Sequence, residues 1–241
     1  MDFSMKTDKG IVRDVNQDNC YVSVFNSDCC FAVVCDGMGG PNAGDVASEM
    51  AVKYVSENFS GHWNSTLGLA DIKEILIESV KAANTEIHNK SKESPEFEGM
   101  GTTLVAAVCL NDDVLVVNVG DSRAYLVDDF LEQITKDHSL IQEMIDKGQI
   151  DAKSAERFPY KNYITRALGT DEVVKVDAFI VNGFADKKIL LCSDGLYNFV
   201  SHEDIVKTIN GHDVADACEE LINKANENGG KDNITAIVLM R

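Results

Sequence analysis

The sequence holds little proline, 3 in 241 residues, and no Ser/Gly-rich or Pro-rich stretch, which argues against linkers and low-complexity segments. No internal repeat is present. Apolar runs such as Leu104–Leu110 are strand-sized, far short of the ~20 residues of a bilayer span. The start, Met1-Asp-Phe-Ser-Met-Lys6, lacks the basic and apolar regions of a targeting peptide, so a cytoplasmic protein is expected. Positive charge is scarce: 22 Lys plus Arg face 40 Asp plus Glu, a formal net charge of -18. Such a surface repels nucleic-acid phosphates and anionic lipid, which disfavours both as partners and leaves solubility as the general use of the acid. The 7 cysteines (Cys20, Cys29, Cys30, Cys35, Cys109, Cys192, Cys218) include no Cys-x-x-Cys. A disulfide framework or zinc site is therefore not expected, and the thiols read as small buried apolar groups in a reducing compartment.

Several reaction classes are excluded in the same way. No cysteine has an arginine six residues later, which removes thiolate-based phosphate chemistry. Gly230-Lys231 is followed by Asp232, with Ala225 where a P-loop needs its first glycine. Leu191 stands where a serine-hydrolase elbow around Ser193 needs glycine. His202-Glu203 has no second histidine at the metalloprotease spacing.

What is present is an ordinary globular composition, 44% hydrophobic and 26% charged, and a length that suits one domain over 1–241. Strand signals cover Tyr21–Phe25, Phe31–Cys35, Leu104–Leu110, Val114–Val119, Arg123–Val127, Val174–Val181, Lys188–Cys192 and Ile234–Met240. The three runs from Leu104 to Val127, separated by Asn111-Asp112-Asp113 and Gly120-Asp121, read as a meander. Helical spacing appears from Val46 through Met50, Tyr54 and Val55. It recurs at Ile72, Ile75, Leu76, Val80, Ala83 and Ile87, with Asp71 as N-cap. Further helices are expected over His138–Asp146, Glu203–Ile209 and Val214–Ala225, with loops around Lys90–Gly99 and Asp151–Gly169. Consecutive strands between groups of helices predict an α+β fold: an antiparallel β-sandwich flanked by two helical layers.

Asp36, Asp121, Asp194 and Asp232 share one placement. Each lies at the end of an apolar strand, with a glycine beside it or within three residues. Taken singly, Asp-Gly is a common turn dipeptide. Taken together, strand ends can meet at one rim, where gathered carboxylates repel unless a cation lies between them. Oxygen donors without a cysteine or histidine cluster point to a hard ion, Mg²⁺ or Mn²⁺. Glycine lets the backbone approach closely enough for a carbonyl to join them.

The residues around these aspartates resemble the metal-dependent protein phosphatases (PPM, or type 2C serine/threonine phosphatases), in their compact bacterial form. The resemblance runs through Gly10-Ile-Val-Arg13-Asp-Val-Asn-Gln-Asp18, Val34-Cys-Asp36-Gly37-Met-Gly-Gly40 and Gly101-Thr102-Thr103-Leu104. It continues through Asn118-Val-Gly-Asp121-Ser122-Arg123, Thr135-Lys-Asp-His138-Ser139 and Ile164-Thr-Arg166-Ala-Leu-Gly169. Cys192-Ser-Asp194-Gly195-Leu196 and Gly230-Lys-Asp232-Asn233-Ile234-Thr235 complete it. One block alone is weak; the set in this order is specific.

The resemblance implies a four-layer αββα fold and hydrolysis of phosphoserine and phosphothreonine by water held between two divalent cations. It implies that Asp36 bridges the cations, with the Gly37 carbonyl on one and Asp194 and Asp232 on the other. Asp18 would hold metal-bound water, and Asp121 with Asp194 a looser third site. Arg13 would grip the substrate phosphate; the alternative, a surface ion pair, is disfavoured by its place just before Asn16-Gln17-Asp18. The segment 138–169 would be a flap influencing substrate choice. The implied partners are phosphoproteins, including a Ser/Thr kinase and its targets, with the enzyme a monomer in signalling. Cations ~3.5–4 Å apart acidify water and neutralise phosphoryl charge, and an arginine fork matches phosphate oxygens.

One departure stands out. Many bacterial relatives have histidine after the Gly-Met-Gly-Gly block, as a candidate acid for the leaving alcohol; here the residues are Pro41 and Asn42. Proline cannot transfer a proton. His138 is an alternative acid, though its place at a helix start reads as structural. Two other functions stay open: a silent binding module with this fold, and a two-metal hydrolase of small phosphoesters or diesters.

Overall fold

The structure, a computed structural model, describes residues 1–151 and 163–241. Two antiparallel sheets form its centre. One has the order β1 (Asp2–Asp8), β11 (Ile234–Met240), β10 (Lys188–Cys192), β7 (Arg123–Val127), β8 (Leu131–Gln133). The other has the order β2 (Asp18–Asn26), β3 (Cys29–Met38), β5 (Leu104–Leu110), β6 (Asp113–Val119), β9 (Asp177–Asn182), with β4 (Gly101–Thr102) paired to the end of β3. Helices α1 (Gly40–His62) and α2 (Leu69–Ser91) cover one outer face. Helices α5 (His202–Gly211) and α6 (Val214–Glu227) cover the other. Short helices α3 (Leu140–Asp146) and α4 (Asp194–Tyr197) lie in the connections. Among the described residues no helix is long and apolar enough to cross a membrane.

The layering follows from the two-residue period of the strands. In β3, Cys29, Phe31, Val33 and Cys35 face α1 and α2, while Cys30, Ala32 and Val34 face the opposite sheet. In β10, Leu190 and Cys192 face the helices, and Ile189 and Leu191 fill the space between the sheets. Strands buried on both faces need apolar residues at every position, which is why these runs are continuous and not alternating. Burying each large side chain stabilises the fold by about 1.5–3 kcal/mol. Six of the cysteines (Cys29, Cys30, Cys35, Cys109, Cys192 and Cys218) are buried, Cys20 is half-buried, and all are free thiols.

The predicted four-layer αββα arrangement is present, with differences in detail. The meander is not: β5 and β6 form a hairpin, but β7 belongs to the other sheet. The chain crosses between sheets at Gly120, whose φ of 105° suits glycine alone and whose α-carbon abuts Thr103. Helix α1 begins at Gly40 and not near Val46, because Pro41 fits a first helical turn, where its missing N–H is no loss. Asp71 is not the N-cap; it sits three residues inside α2 and its carboxylate accepts from the Gly68 N–H at 3.1 Å. The expected loop at Lys90–Gly99 contains the end of α2 and a 3₁₀ turn at Pro95–Phe97. His138 precedes α3, which Ser139 caps, and β9 starts at Asp177, not Val174. Of the expected flap, residues 152–162 lie outside the described residues; its base is the bridge between Ser139 and Ile164.

Candidate metal centre

The strand ends meet as expected. Arg13, Asp36, Gly37, Asp121, Asp194 and Asp232 line one cavity of about 580 Å³, shared with Gln17, Met38, Thr103, Ile164 and Asn233. Asp36 lies within β3, two residues before its end, and its backbone is held by Thr103: the Asp36 N–H donates to Thr103 Oγ1 at 3.0 Å and the Thr103 N–H to the Asp36 carbonyl at 2.9 Å. Gly37 is required there because any β-carbon would collide with the Gly44 and Gln17 carbonyls. Asp121 follows the Gly120 crossing, and the Tyr197 hydroxyl donates to its carbonyl at 3.1 Å. Asp194 opens α4, and Asn198 Nδ2 donates to its Oδ2 at 3.1 Å. Asp232 precedes β11; its Oδ1 accepts from the Asn233 N–H at 2.9 Å and its Oδ2 from Arg13 Nη2 at 2.9 Å.

Asp18 does not line the cavity. It is 7% exposed and directly opposite Asp36 in the β2–β3 register. Its Oδ2 accepts from Ser193 Oγ at 2.6 Å and Thr235 Oγ1 at 2.7 Å, while its Oδ1 is buried with no donor. Like charges placed directly across a sheet are destabilising, so this pair needs a proton or a cation. The electrostatics agree. Burial, then Asp18, Asp194, Asp121 and Asp232, pushes Asp36 well above the usual carboxylate range. Burial, then Asp121, Asp232 and Asp18, raises Asp194 to about 8. Burial, then Asp137, raises Asp121 to about 6. Asp18 rises to about 6 through burial, against the lowering effect of its two hydroxyl donors.

These residues fit a hard divalent ion: oxygen donors only, mutually repelling, with an orphaned carboxylate oxygen behind them. Among the described residues no three carboxylate, thiol or imidazole groups form a ready-made ion cage. The aspartates surround the cavity, and two are engaged elsewhere, Asp232 with Arg13 and Asp194 with Asn198. Arg13 is half-exposed, ion-paired to Asp232 and part of the cavity wall.

His138 is structural. It is buried outside the cavity lining, and its Nδ1 accepts from the Gly120 N–H at 3.0 Å. Its Nε2 lies 3.2 Å from Asp177 Oδ2 and 2.8 Å from Arg166 Nη1, which ties the ring into a partly buried Arg166–Asp177 cluster. Burial and Arg166 lower its pKa, which keeps the ring neutral. The sequence reading assigned no role to Ser193, Thr235 and Asn233. Ser193 and Thr235 fix Asp18, and Asn233 ties the Arg13 loop to β11 by donating to the Lys9 and Val15 carbonyls at 2.9 Å each. The available signal was their position: small hydroxyl and amide residues adjoining the aspartates at strand ends, where burial demands a partner.

Comparison with known proteins identifies the family. The Protein phosphatase 2C family model matches residues 11–238. The chain is 39% identical over 246 residues to the serine/threonine phosphatase stp of Listeria monocytogenes, covering 100% of this chain and 96% of that protein. It superimposes on a serine/threonine phosphatase of S. agalactiae with a TM-score of 0.91 at 32% identity, covering 100% and 99% of the two chains. It also matches the catalytic domain of PstP in complex with 2 manganese ions, with a TM-score of 0.83 at 34% identity, covering 98% and 96%. By sequence, by fold and by the carboxylates that its strand ends bring together, the chain belongs to the protein phosphatase 2C family.

Proposed function

We propose that the chain, working over 1–241 as one catalytic domain, hydrolyses phosphoserine and phosphothreonine in proteins with the aid of Mn²⁺ or Mg²⁺. The observation that carries this reading is the set of half-buried, mutually repelling carboxylates facing one cavity beside Arg13. Asp36, the Gly37 carbonyl, Asp194 and Asp232 are the proposed holders of two cations, and Asp121 with Asp194 of a weaker third. Bound cations would neutralise phosphoryl charge and make water a stronger acid.

The chain's own residues supply positioning. Asp232 holds Arg13 at the cavity mouth, with guanidinium N–H donors left over for a phosphate. Ser193 and Thr235 hold the Asp18 carboxylate in one orientation, directly across the sheet from Asp36. Asn198 does the same for Asp194. His138 holds the Gly120 corner and does not reach the cavity, so it carries no proton to the leaving alcohol. With Pro41 at the start of α1, no side chain at that place supplies one either. The proposed setting is a cytoplasmic monomer opposing a Ser/Thr kinase and acting on that kinase and its targets. The names of its relatives support the phosphoserine and phosphothreonine substrate class, since stp and the S. agalactiae protein are both serine/threonine phosphatases.

The test is a side-by-side assay with Mn²⁺ of phosphothreonine peptides, sugar phosphates and phosphodiesters. Preferred hydrolysis of the peptides is expected. Preference for sugar phosphates or diesters would establish the small-ester reading instead, and no hydrolysis of any substrate would mark a silent binding module.

A further inference from the structure

The loop that carries Arg13 displays aliphatic side chains to solvent: Ile11 is 67% exposed, Val12 62% and Val15 44%. Isolated exposed aliphatics are normal on a protein surface, but these flank, in the chain, the arginine that lines the cavity. The loop is also fixed. The N–H groups of Ile11 and Val12 both donate to the Gly230 carbonyl, at 2.8 and 3.2 Å. Arg13 Nε donates to the Lys231 carbonyl at 3.3 Å, and Asn233 holds the loop's two ends through Lys9 and Val15. Backbone order is thus established before anything binds, so apolar contact made by these side chains carries little further entropy cost. Across the cavity, Met38 and Ile164 add apolar surface to the opposite wall.

We infer that Ile11 and Val12 form a specificity surface for the substrate chain, selecting phosphopeptides with an aliphatic side chain within two residues of the phosphoamino acid. This rests on the protein-phosphatase reading above and adds the substrate class. Continuity with the cavity identifies the occupant. Neighbouring α-carbons are about 3.8 Å apart, so a peptide whose phosphate meets Arg13 passes Val12 within a residue or two. The cavity lining is mostly polar and charged, with Met38 and Ile164 its large apolar side chains, and the exposed aliphatics next to Arg13 in the chain add apolar surface beside it.

The test compares two phosphothreonine peptides, identical except for leucines or serines flanking the phosphoresidue, with an aryl phosphate that has no flanking chain. The wild-type protein is expected to favour the leucine peptide about tenfold in kcat/KM, equivalent to about 1.4 kcal/mol. Ile11→Ser/Val12→Ser should bring that ratio to within about twofold while aryl phosphate turnover stays within about twofold of wild type. Ile11→Thr/Val12→Thr, which keeps the branched shape, should shift the ratio the same way and guards against misfolding of the serine variant. An unchanged peptide preference in folded variants overturns the inference, as does equal loss on both peptides and the aryl phosphate. Wild-type protein that cleaves the aryl phosphate but neither peptide would overturn the protein-substrate reading itself, a result distinct from loss of flank preference alone.

Discussion

The body of the sandwich and its acidic end are built from the same strands under opposite physical rules. In the body of β3, Phe31, Val33 and Val34 are fully buried among apolar neighbours, and every group there favours the folded state. A few residues on, the same strand carries Asp36 into a group of carboxylates that burial and mutual repulsion both disfavour. β10 and β11 repeat the pattern, with Leu190, Leu191 and Ile237 buried in the body and Asp194 and Asp232 at the rim. The apolar body stabilises the fold, and part of that stability holds together rim carboxylates whose repulsion a proton or a cation relieves. Sites that break local rules are where function concentrates.

Mutations should separate the two regions. Asp36→Asn is expected to lower turnover of an aryl phosphate by about 10³-fold without lowering the melting temperature of the chelated protein, since it removes a disfavoured charge. Phe31→Ala, in the body, should do the reverse: it opens a cavity beside Phe59 and costs about 3–5 kcal/mol in denaturant unfolding, with the carboxylates untouched. A large stability loss in the aspartate variant would erase the contrast.

Arg13→Ala should reduce kcat/KM about 10- to 100-fold, and Arg13→Lys should recover only part, because lysine lacks the planar fork. Steady-state kinetics on a phosphopeptide checks both. The chelated protein should also lose stability as pH rises from 6 to 8. The folded-state pKa of Asp194 lies near 8, far above its unfolded value. The folded chain thus binds more protons than the unfolded one across that window, and stability falls by roughly 1 kcal/mol per pH unit for each such proton. Thermal melts in EDTA at the two pH values test this, and added Mn²⁺ should flatten the dependence. The smallest effect concerns the leaving group: Pro41→His should raise phosphopeptide turnover relative to aryl phosphate by about 10-fold or less. No relative gain would remove the idea that an acid is missing there.

Much of this contrast was legible in the residues. Continuous apolar runs ending in aspartate and glycine gave both the doubly buried strands and the rim, because burial and charge are local properties of a sequence. What was not legible depends on contacts between distant segments. Gly120-Asp121 looks like a hairpin turn, and only the packing of Gly120 on Thr103 shows it to be a crossing between sheets. Asp18 has an ordinary strand-start context, yet its partners Ser193 and Thr235 lie 175 and 217 residues away. The starts of α1 at Gly40 and α2 at Leu69 are hidden for a simpler reason, since helix starts are set by turn geometry that apolar spacing does not encode.

The most direct measurement is Mn²⁺ binding by titration calorimetry at pH 7 in buffers of different protonation enthalpy, with aryl phosphate hydrolysis followed in the same samples. The expected result is uptake of Mn²⁺ with net proton release, greatly weakened in Asp36→Asn, and hydrolysis that stops with EDTA and returns with Mn²⁺. Hydrolysis that continues undiminished in EDTA, or Mn²⁺ binding that releases no protons and ignores the Asp36 substitution, would contradict it.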